Sequence, residues 1–308
     1  MGARRIARML MGVPGLGSLV QRVKTRFGNT QCARWHDLKS RNQLVELDFP
    51  VHPKVRHGYG QPSDARIEAR LAARKHHYAA LMKSMLPLVQ PMLTIPPHEV
   101  ANKAEPNWIN LALPALDAIA LYGMIAVRRP ARFIQIGSGF STKFARRAIV
   151  DHSLNTRIIS IDPQPRAEID KLCDEVVRLP LEEADLAIFE SLSANDLVFF
   201  DGSHRSFQNS DVTVFFTEVL PRLPSGLMFG IHDVYLPDDY PAGWADWFFN
   251  EQYLLSCWLL AGERLQVDFP AHFIGSDADL YSIFSPLWDH PALAGAYHRG
   301  GCFFATLR

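Results

Sequence analysis

The spacing of apolar positions changes at about residue 130 of the chain. Before it, Ile67, Leu71, Tyr78, Leu81, Met82, Met85 and Leu86 recur at helical intervals. This predicts an amphipathic helix from Ser63, its N-cap, to about Leu86, with Pro87 as its stop. A second helix is predicted over about 109–127. Beyond residue 130, short apolar runs alternate with helical stretches. Arg132–Ile136, Arg157–Ile161, Glu175–Leu179, Leu197–Phe200 and Leu227–Ile231 read as strands, and Ser141–Val150 as the first intervening helix. Such alternation predicts an α/β fold with a parallel, doubly wound sheet. A helix across Trp244–Leu260 precedes two further strand-like runs, Leu265–Phe273 and Gly301–Leu307. These suit an antiparallel edge hairpin and bring the mostly parallel sheet to seven strands. Residues 40–65 contain Pro50, Pro53, Gly58, Gly60 and Pro62 and read as an irregular linker. The chain is thus expected to comprise a basic, partly irregular segment (1–60), a helical extension (61–104) lying over the active site, and an α/β domain (105–308).

In open parallel sheets, ligands bind beyond the carboxyl ends of the strands, near the point where strand order reverses. Polar residues stand at several of these ends: Gly137-Ser138-Gly139 after the first strand, Asp162 after the second, Asp201 after the fourth and His232-Asp233 after the fifth. The glycines let the backbone turn tightly and approach a ligand. The helix that follows aims its N–H groups at the same place. Asp162, 23 residues after Gly139, has the spacing of an acid that accepts hydrogen bonds from ribose hydroxyls. Nicotinamide cofactors use this geometry with a third glycine. Thr142 stands there instead, which tilts the reading toward a nucleoside without pyrophosphate, S-adenosylmethionine. The expected cofactor contacts are Gly137, Ser138, Gly139, Ser141, Asp162 and Asp201.

Ile136-Gly-Ser-Gly-Phe-Ser-Thr142, Phe200-Asp-Gly-Ser-His204 and Ile231-His-Asp-Val-Tyr-Leu-Pro237 resemble the motifs of a bacterial class I S-adenosylmethionine-dependent methyltransferase family. Its motifs are an IGSGFST cofactor loop, a DSSH fourth-strand end and an HDIFLP fifth-strand end. Asn107-Trp108, Asp117, Tyr122, Trp247 and Asn250-Glu-Gln-Tyr253 are similar to it as well. The resemblance spans roughly 105–308 and implies a Rossmann-like methyltransferase fold and methyl transfer. It leaves the acceptor undefined. The chain departs from it at Gln135, commonly Glu, and at Gly202, often Ser.

Asp201, His204, His232 and Asp233 are the expected catalytic residues on the acceptor side. Methyl transfer is an in-line displacement at a sulfonium carbon, so the protein has to position the nucleophile and remove its proton. An imidazole titrating near neutrality suits that removal; taken singly, each histidine is equally a structural one. Two carboxylates at neighbouring strand ends would repel, and a divalent metal (Mg²⁺ or Mn²⁺) between Asp201 and Asp233 would relieve the conflict. Catechol-type methyltransferases carry metal ligands at these two strand ends, with Asp-Asn where this chain has His232-Asp233. The metal-free alternative makes a histidine the base. Asp211 reads as a helix start, and Trp244, Trp247, Phe248, Phe249 and Trp258 as core and lid before sugar platform.

Charge adds little. Lys plus Arg and Asp plus Glu number 32 each, so no global field draws the chain to nucleic acid. Seven basic residues precede the first acid, Asp37, and suggest weak contact of the N-terminus with an anionic membrane surface. Four separated cysteines without a C-x-x-C pair fit a reducing compartment. The longest apolar stretch, 111–127, is interrupted by Pro114 and Asp117, and no secretory signal is evident, so a cytoplasmic location is expected. The expected function is methyl transfer from S-adenosylmethionine to an oxygen, in second place a nitrogen, of a small molecule or glycan. The rivals are a catalytically inactive binding protein of the same fold and an NAD-dependent oxidoreductase.

Overall fold

A computed structural model describes residues 31–40, 43–45, 47–165 and 168–308. The expected membrane contact of the basic segment falls on residues 1–30, outside the described residues. The chain separates into two compact units, Met1–His52 and Pro53–Arg308. The first contributes helix α1 (Gln31–Ser40), closed by the Ser40 hydroxyl donating to the Asp37 carbonyl at 2.8 Å.

The second unit is built on seven strands in the order β3-β2-β1-β4-β5-β7-β6. They are β1 (Arg132–Ile136), β2 (Arg157–Ile161), β3 (Glu175–Val177), β4 (Leu197–Phe200), β5 (Met228–Ile231), β6 (Leu265–Pro270) and β7 (Phe303–Leu307). The first five pair in parallel, and β7 runs antiparallel between β5 and β6. Every residue of β4 and β5 is buried. This is why their sequences read as continuous apolar runs and not as alternating ones. Strand order reverses between β1 and β4. Right-handed crossovers then carry the chain to opposite faces on either side of that point and leave a crevice at the carboxyl ends.

The helical region preceding the sheet differs from the sequence expectation in detail. Its first helix, α2 (Ala65–Ala72), is capped by Asp64, whose carboxylate accepts from the N–H groups of Arg66 and Ile67. The neighbouring Ser63 hydroxyl donates instead to Asp238 at 2.6 Å. The predicted single helix breaks at Ala73-Arg74 and resumes as α3 (Lys75–Met85). The break seats the Arg74 guanidinium on the Val267 carbonyl of β6 at 2.7 Å and brings His77 to Asp268 at 3.0 Å. The link from this region to the loop after β5 is the segment 56–64. There the N–H groups of Arg56 and His57 donate to Asp239 at 2.6 and 2.9 Å. Helix α4 (Ala115–Arg128), which starts after Pro114 and not at 109, packs against α5 (Phe140–Asp151). Among the described residues no helix is long and apolar enough to cross a membrane.

One ion pair fixes the entries of the two central strands. Asp196, just before β4, is 1% exposed and accepts from the Arg132 backbone N–H at 3.0 Å. The Arg132 guanidinium donates to it at 2.8 and 3.1 Å, and the Ser193 N–H at 2.8 Å. Burial pushes the Asp196 carboxyl up, but Arg132 and Ser193 outweigh it and hold the pKa below the ordinary value. Asp196→Ala is expected to cost about 3 kcal/mol in urea unfolding at neutral pH, the scale of a buried pair stripped of one partner. A depressed folded pKa means that this contribution is complete above the unfolded Asp value of about 4 and is lost as pH falls through the folded one. The stability gap between wild type and Asp196→Asn should therefore narrow in acid.

Candidate active site

Strand register assembles the site. Ile161, Ile136, Phe200 and Ile231 are paired across β2, β1, β4 and β5 in a single row. The next residue of each strand is Asp162, Gly137, Asp201 and His232, so these four stand side by side about 4.8 Å apart along the sheet edge. The ladder continues one step beyond the strands: Gly137 N–H donates to Ile161, Asp201 N–H to Ile136 and His232 N–H to Phe200, at 2.8–3.0 Å.

On the β1 side, Asp162 accepts from the N–H of Ser138 with one oxygen and from that of Gln164 with the other, both at 2.7 Å. It thereby ties the glycine loop to the end of β2. Ser138 also shares a hydroxyl contact of 2.7 Å with Ser160. The two loop glycines have different reasons for being there. Gly137 has φ +76°, and a Cβ on it would meet the Asp201 carbonyl oxygen at 1.8 Å. Gly139 has no heavy atom within 4 Å of an added Cβ, so the space beside it is open. The departure at Gln135 is absorbed inside the fold. Its carbonyl oxygen accepts from the Thr142 hydroxyl at 2.8 Å, its amide donates to Ser141, and Thr142 accepts from the Gly139 N–H at 3.2 Å. Gln135 thus organises the first turn of α5, and Ser141, 3% exposed, is committed to it. The departure at Gly202 is steric: a Cβ there would lie 2.4 Å from an Asp211 oxygen and 2.7 Å from the Phe200 ring.

On the β4–β5 side four side chains converge. His204 Nε2 lies 3.6 Å from Asp201 Oδ1 and 3.5 Å from Asp233 Oδ2. His232 Nδ1 lies 3.5 Å from Asp201 Oδ1 and 3.6 Å from Asp233 Oδ1. His204 and Asp233 adopt left-handed backbone conformations, φ +63° and +58°. Such non-glycine residues are uncommon and persist where the surroundings hold them. The opposite nitrogen of each imidazole meets a buried carboxylate. His204 Nδ1 is 2.5 Å from Glu251 Oε1, and His232 Nε2 is 3.1 Å from Asp117 Oδ2. Phe249 covers His204 at 4.5 Å between ring centres, and the Arg205 guanidinium lies 5.0 Å from the Phe249 ring.

Residues 134–234, which contain the glycine loop and the ends of β1, β2, β4 and β5, match the family model described as a methyltransferase domain. The chain is also similar to the SAH-bound methyltransferase PaMTH1 of Podospora anserina, with 14% identity, covering 82% of this chain and 100% of that one at a TM-score of 0.40. A Bacillus cereus O-methyltransferase in complex with SAH is 15% identical, covering 79% and 100% at a TM-score of 0.39. No curated protein matches the chain.

Burial pulls the His204 imidazole down, but Glu251, Asp201 and Asp233 together raise it to about 9. Burial likewise opposes protonation of His232, and Asp233, Asp201 and Asp117 overcome it, leaving the pKa well above the ordinary histidine value. Burial pushes Asp233 up, and it lifts Glu251 to about 7 against the pull of His204. Glu251 and Asp117 carry no expected role from residue spacing. Both fall at positions that resemble the family, Asp117 as a single acid inside the apolar run 115–126 and Glu251 within Asn250-Glu-Gln-Tyr253, but that likeness carried no role for either. Asp117, His232 and Cys302 also bring donor atoms within 4.8 Å of one another. Asp117 is nevertheless already committed to the N–H groups of Gly301 and Cys302 at 2.7–2.9 Å, which reads as structural. For a cation between Asp201 and Asp233, the donor chemistry fits: two carboxylates with an imidazole nitrogen 3.5–3.6 Å from both. Metal bonds of about 2.1 Å set neighbouring donors roughly 3.0–3.5 Å apart.

The contrast between the glycines is testable. Gly137→Ala should lower the thermal midpoint of the apo-protein by the equivalent of about 2 kcal/mol or more, because both φ and the Asp201 carbonyl oppose a side chain. Gly139→Val should leave that midpoint nearly unchanged and abolish binding of S-adenosylhomocysteine in calorimetry. The opposite pattern would reverse the two assignments.

Proposed function

We propose that the chain binds S-adenosylmethionine across the ends of β1 and β2 and moves its methyl group to an oxygen of a small molecule or glycan held at the ends of β4 and β5. The single row of Asp162, Gly137, Asp201 and His232 carries this reading, because it sets a nucleoside cradle directly beside a paired imidazole–carboxylate cluster. Each Asp162 oxygen accepts one backbone N–H and keeps a lone pair for a ribose hydroxyl. The space beside Gly139 admits the cofactor at the N-terminus of α5. In the reaction the acceptor oxygen attacks the methyl carbon, the carbon–sulfur bond breaks with its electron pair remaining on sulfur, and S-adenosylhomocysteine leaves. His204 Nε2 faces the acceptor side and takes the hydroxyl proton in the fraction of molecules whose imidazole is neutral, a fraction that grows as pH rises toward the raised His204 pKa of about 9, while Asp201 and Asp233 stabilise the imidazolium that forms. If a divalent cation is resident, Asp201 and Asp233 would hold it, and it would polarise the acceptor hydroxyl and lower its pKa.

Asp162→Ala should weaken S-adenosylhomocysteine binding by about 1.5–3 kcal/mol, the range for a hydrogen bond to a charged group. NADH titrated in parallel should give no signal; saturable NADH binding in place of S-adenosylhomocysteine would favour the oxidoreductase. His204→Gln should lower turnover of an oxygen acceptor on the order of 100- to 10,000-fold with cofactor affinity kept. Full turnover after exhaustive EDTA dialysis would remove the cation from the account, whereas loss rescued by Mg²⁺ or Mn²⁺ would place it there.

A further inference from the structure

We infer that Glu251 and Asp117 are positioning residues that hold His204 and His232 by opposite ring nitrogens, so that both imidazoles turn their exchangeable nitrogen to the space between Asp201 and Asp233. Both backing carboxylates are fully buried, and each lies in the first turn of a helix. Glu251 begins the helix Glu251–Ala261, α6, and Asp117 is the third residue of α4. The positive end of a helix favours an ionised carboxylate there. Glu251 bonds His204 through Nδ1, and Asp117 bonds His232 through Nε2. An imidazole N–H held by a carboxylate stays with that partner, and protons come and go at the other nitrogen. That nitrogen is Nε2 in His204 and Nδ1 in His232, and each stands 3.5–3.6 Å from both Asp201 and Asp233.

The burial of Glu251 argues that its charge is needed. One of its oxygens contacts His204, and the other, Oε2, is buried with no hydrogen-bond partner. A half-satisfied buried acid is costly as packing alone. The same loop is fastened a second time, because the Asn250 N–H donates to the His204 carbonyl at 2.9 Å and the Asn250 side chain accepts from the Ser206 N–H at 2.7 Å. Asp117 combines positioning with structure: besides His232 it holds the backbone of Gly301 and Cys302 where the chain enters β7.

The orientation itself follows from the geometry, and its effect on turnover rests on the methyl-transfer reading. The experiment is NMR of the full chain with ¹⁵N-labelled histidine. Two low-field imidazole N–H signals are expected, one from Nδ1 of His204 and one from Nε2 of His232, assigned with His204→Gln and His232→Gln. Glu251→Gln keeps a side chain of the same shape but one that can either accept or donate. It should abolish or shift the His204 signal, spare that of His232, and lower kcat by at least about tenfold with acceptor KM and S-adenosylhomocysteine affinity little changed. Glu251→Asp should restore part of both the signal and kcat. Asp117→Asn, which keeps an acceptor for Gly301 and Cys302, should act on the His232 signal alone. A His204 signal arising from Nε2 alone, or an Nδ1 signal untouched by Glu251→Gln, would overturn the inference. Should the wild type show both signals and bind no S-adenosylhomocysteine, the orientation would stand and the methyl-transfer reading would fall.

Discussion

The register of four parallel strands is the constraint on which the site depends. Because Ile161, Ile136, Phe200 and Ile231 are level, the residues after them are level too, and four chain segments separated by up to 95 positions meet on one line. A slip of one residue in any pairing would turn the buried strand over and send its terminal polar group to the other face. Two close contacts hold the row at its ends. At the strand entries Asp196 bonds Arg132, and at the exits the Gly137 backbone lies against the Asp201 carbonyl with no room for a side chain. The glycine that reads as a ligand contact in the sequence is thus first a contact between β1 and β4.

Electrostatics explain why such a charged site survives burial. Asp117, Asp233, Glu251, His204 and His232 are all largely withdrawn from water, and Asp201 is the most exposed of the group, at 30% of its side chain. Isolated charges would not be tolerated in this setting. Here every imidazole lies between carboxylates, and the two most deeply buried acids sit where helix N-termini offset part of their desolvation. The left-handed backbones of His204 and Asp233 are a further cost, offset by the loops that the Asn250 and Gly301 hydrogen bonds tie in place. The result is a buried polar cluster at the ends of β4 and β5, with open space beside Gly139 at the end of β1.

The parts of the chain that differ from expectation differ for tertiary reasons. The region Trp244–Leu260 has continuous helical periodicity, yet it divides into a 3₁₀ turn (Ala242–Trp247) and α6, with Phe248 left-handed at φ +55°. That break brings Phe249 against His204 and Asn250 onto its carbonyl. The early helix breaks at Arg74 because its guanidinium finds the β6 backbone. Ser63 yields the N-cap to Asp64 because Asp238, 175 residues away, claims its hydroxyl.

What the sequence by itself determined is the set of local, periodic features: the seven strands, the glycine turn, and the polar residues placed just beyond strand ends. Burial on both faces selects unbroken apolar runs, and a tight turn selects glycine, so these features leave a mark within a few residues of chain. Only the tertiary structure decided which imidazole nitrogen faces the site, that Glu251 and Asp117 stand behind the two histidines, and that Gly137 serves packing while Gly139 leaves room. These depend on pairs such as His204 with Glu251 and His232 with Asp117, 47 and 115 positions apart. A hydrogen bond across such a span is set by how helices dock on the sheet, and one partner's residue type does not announce the other.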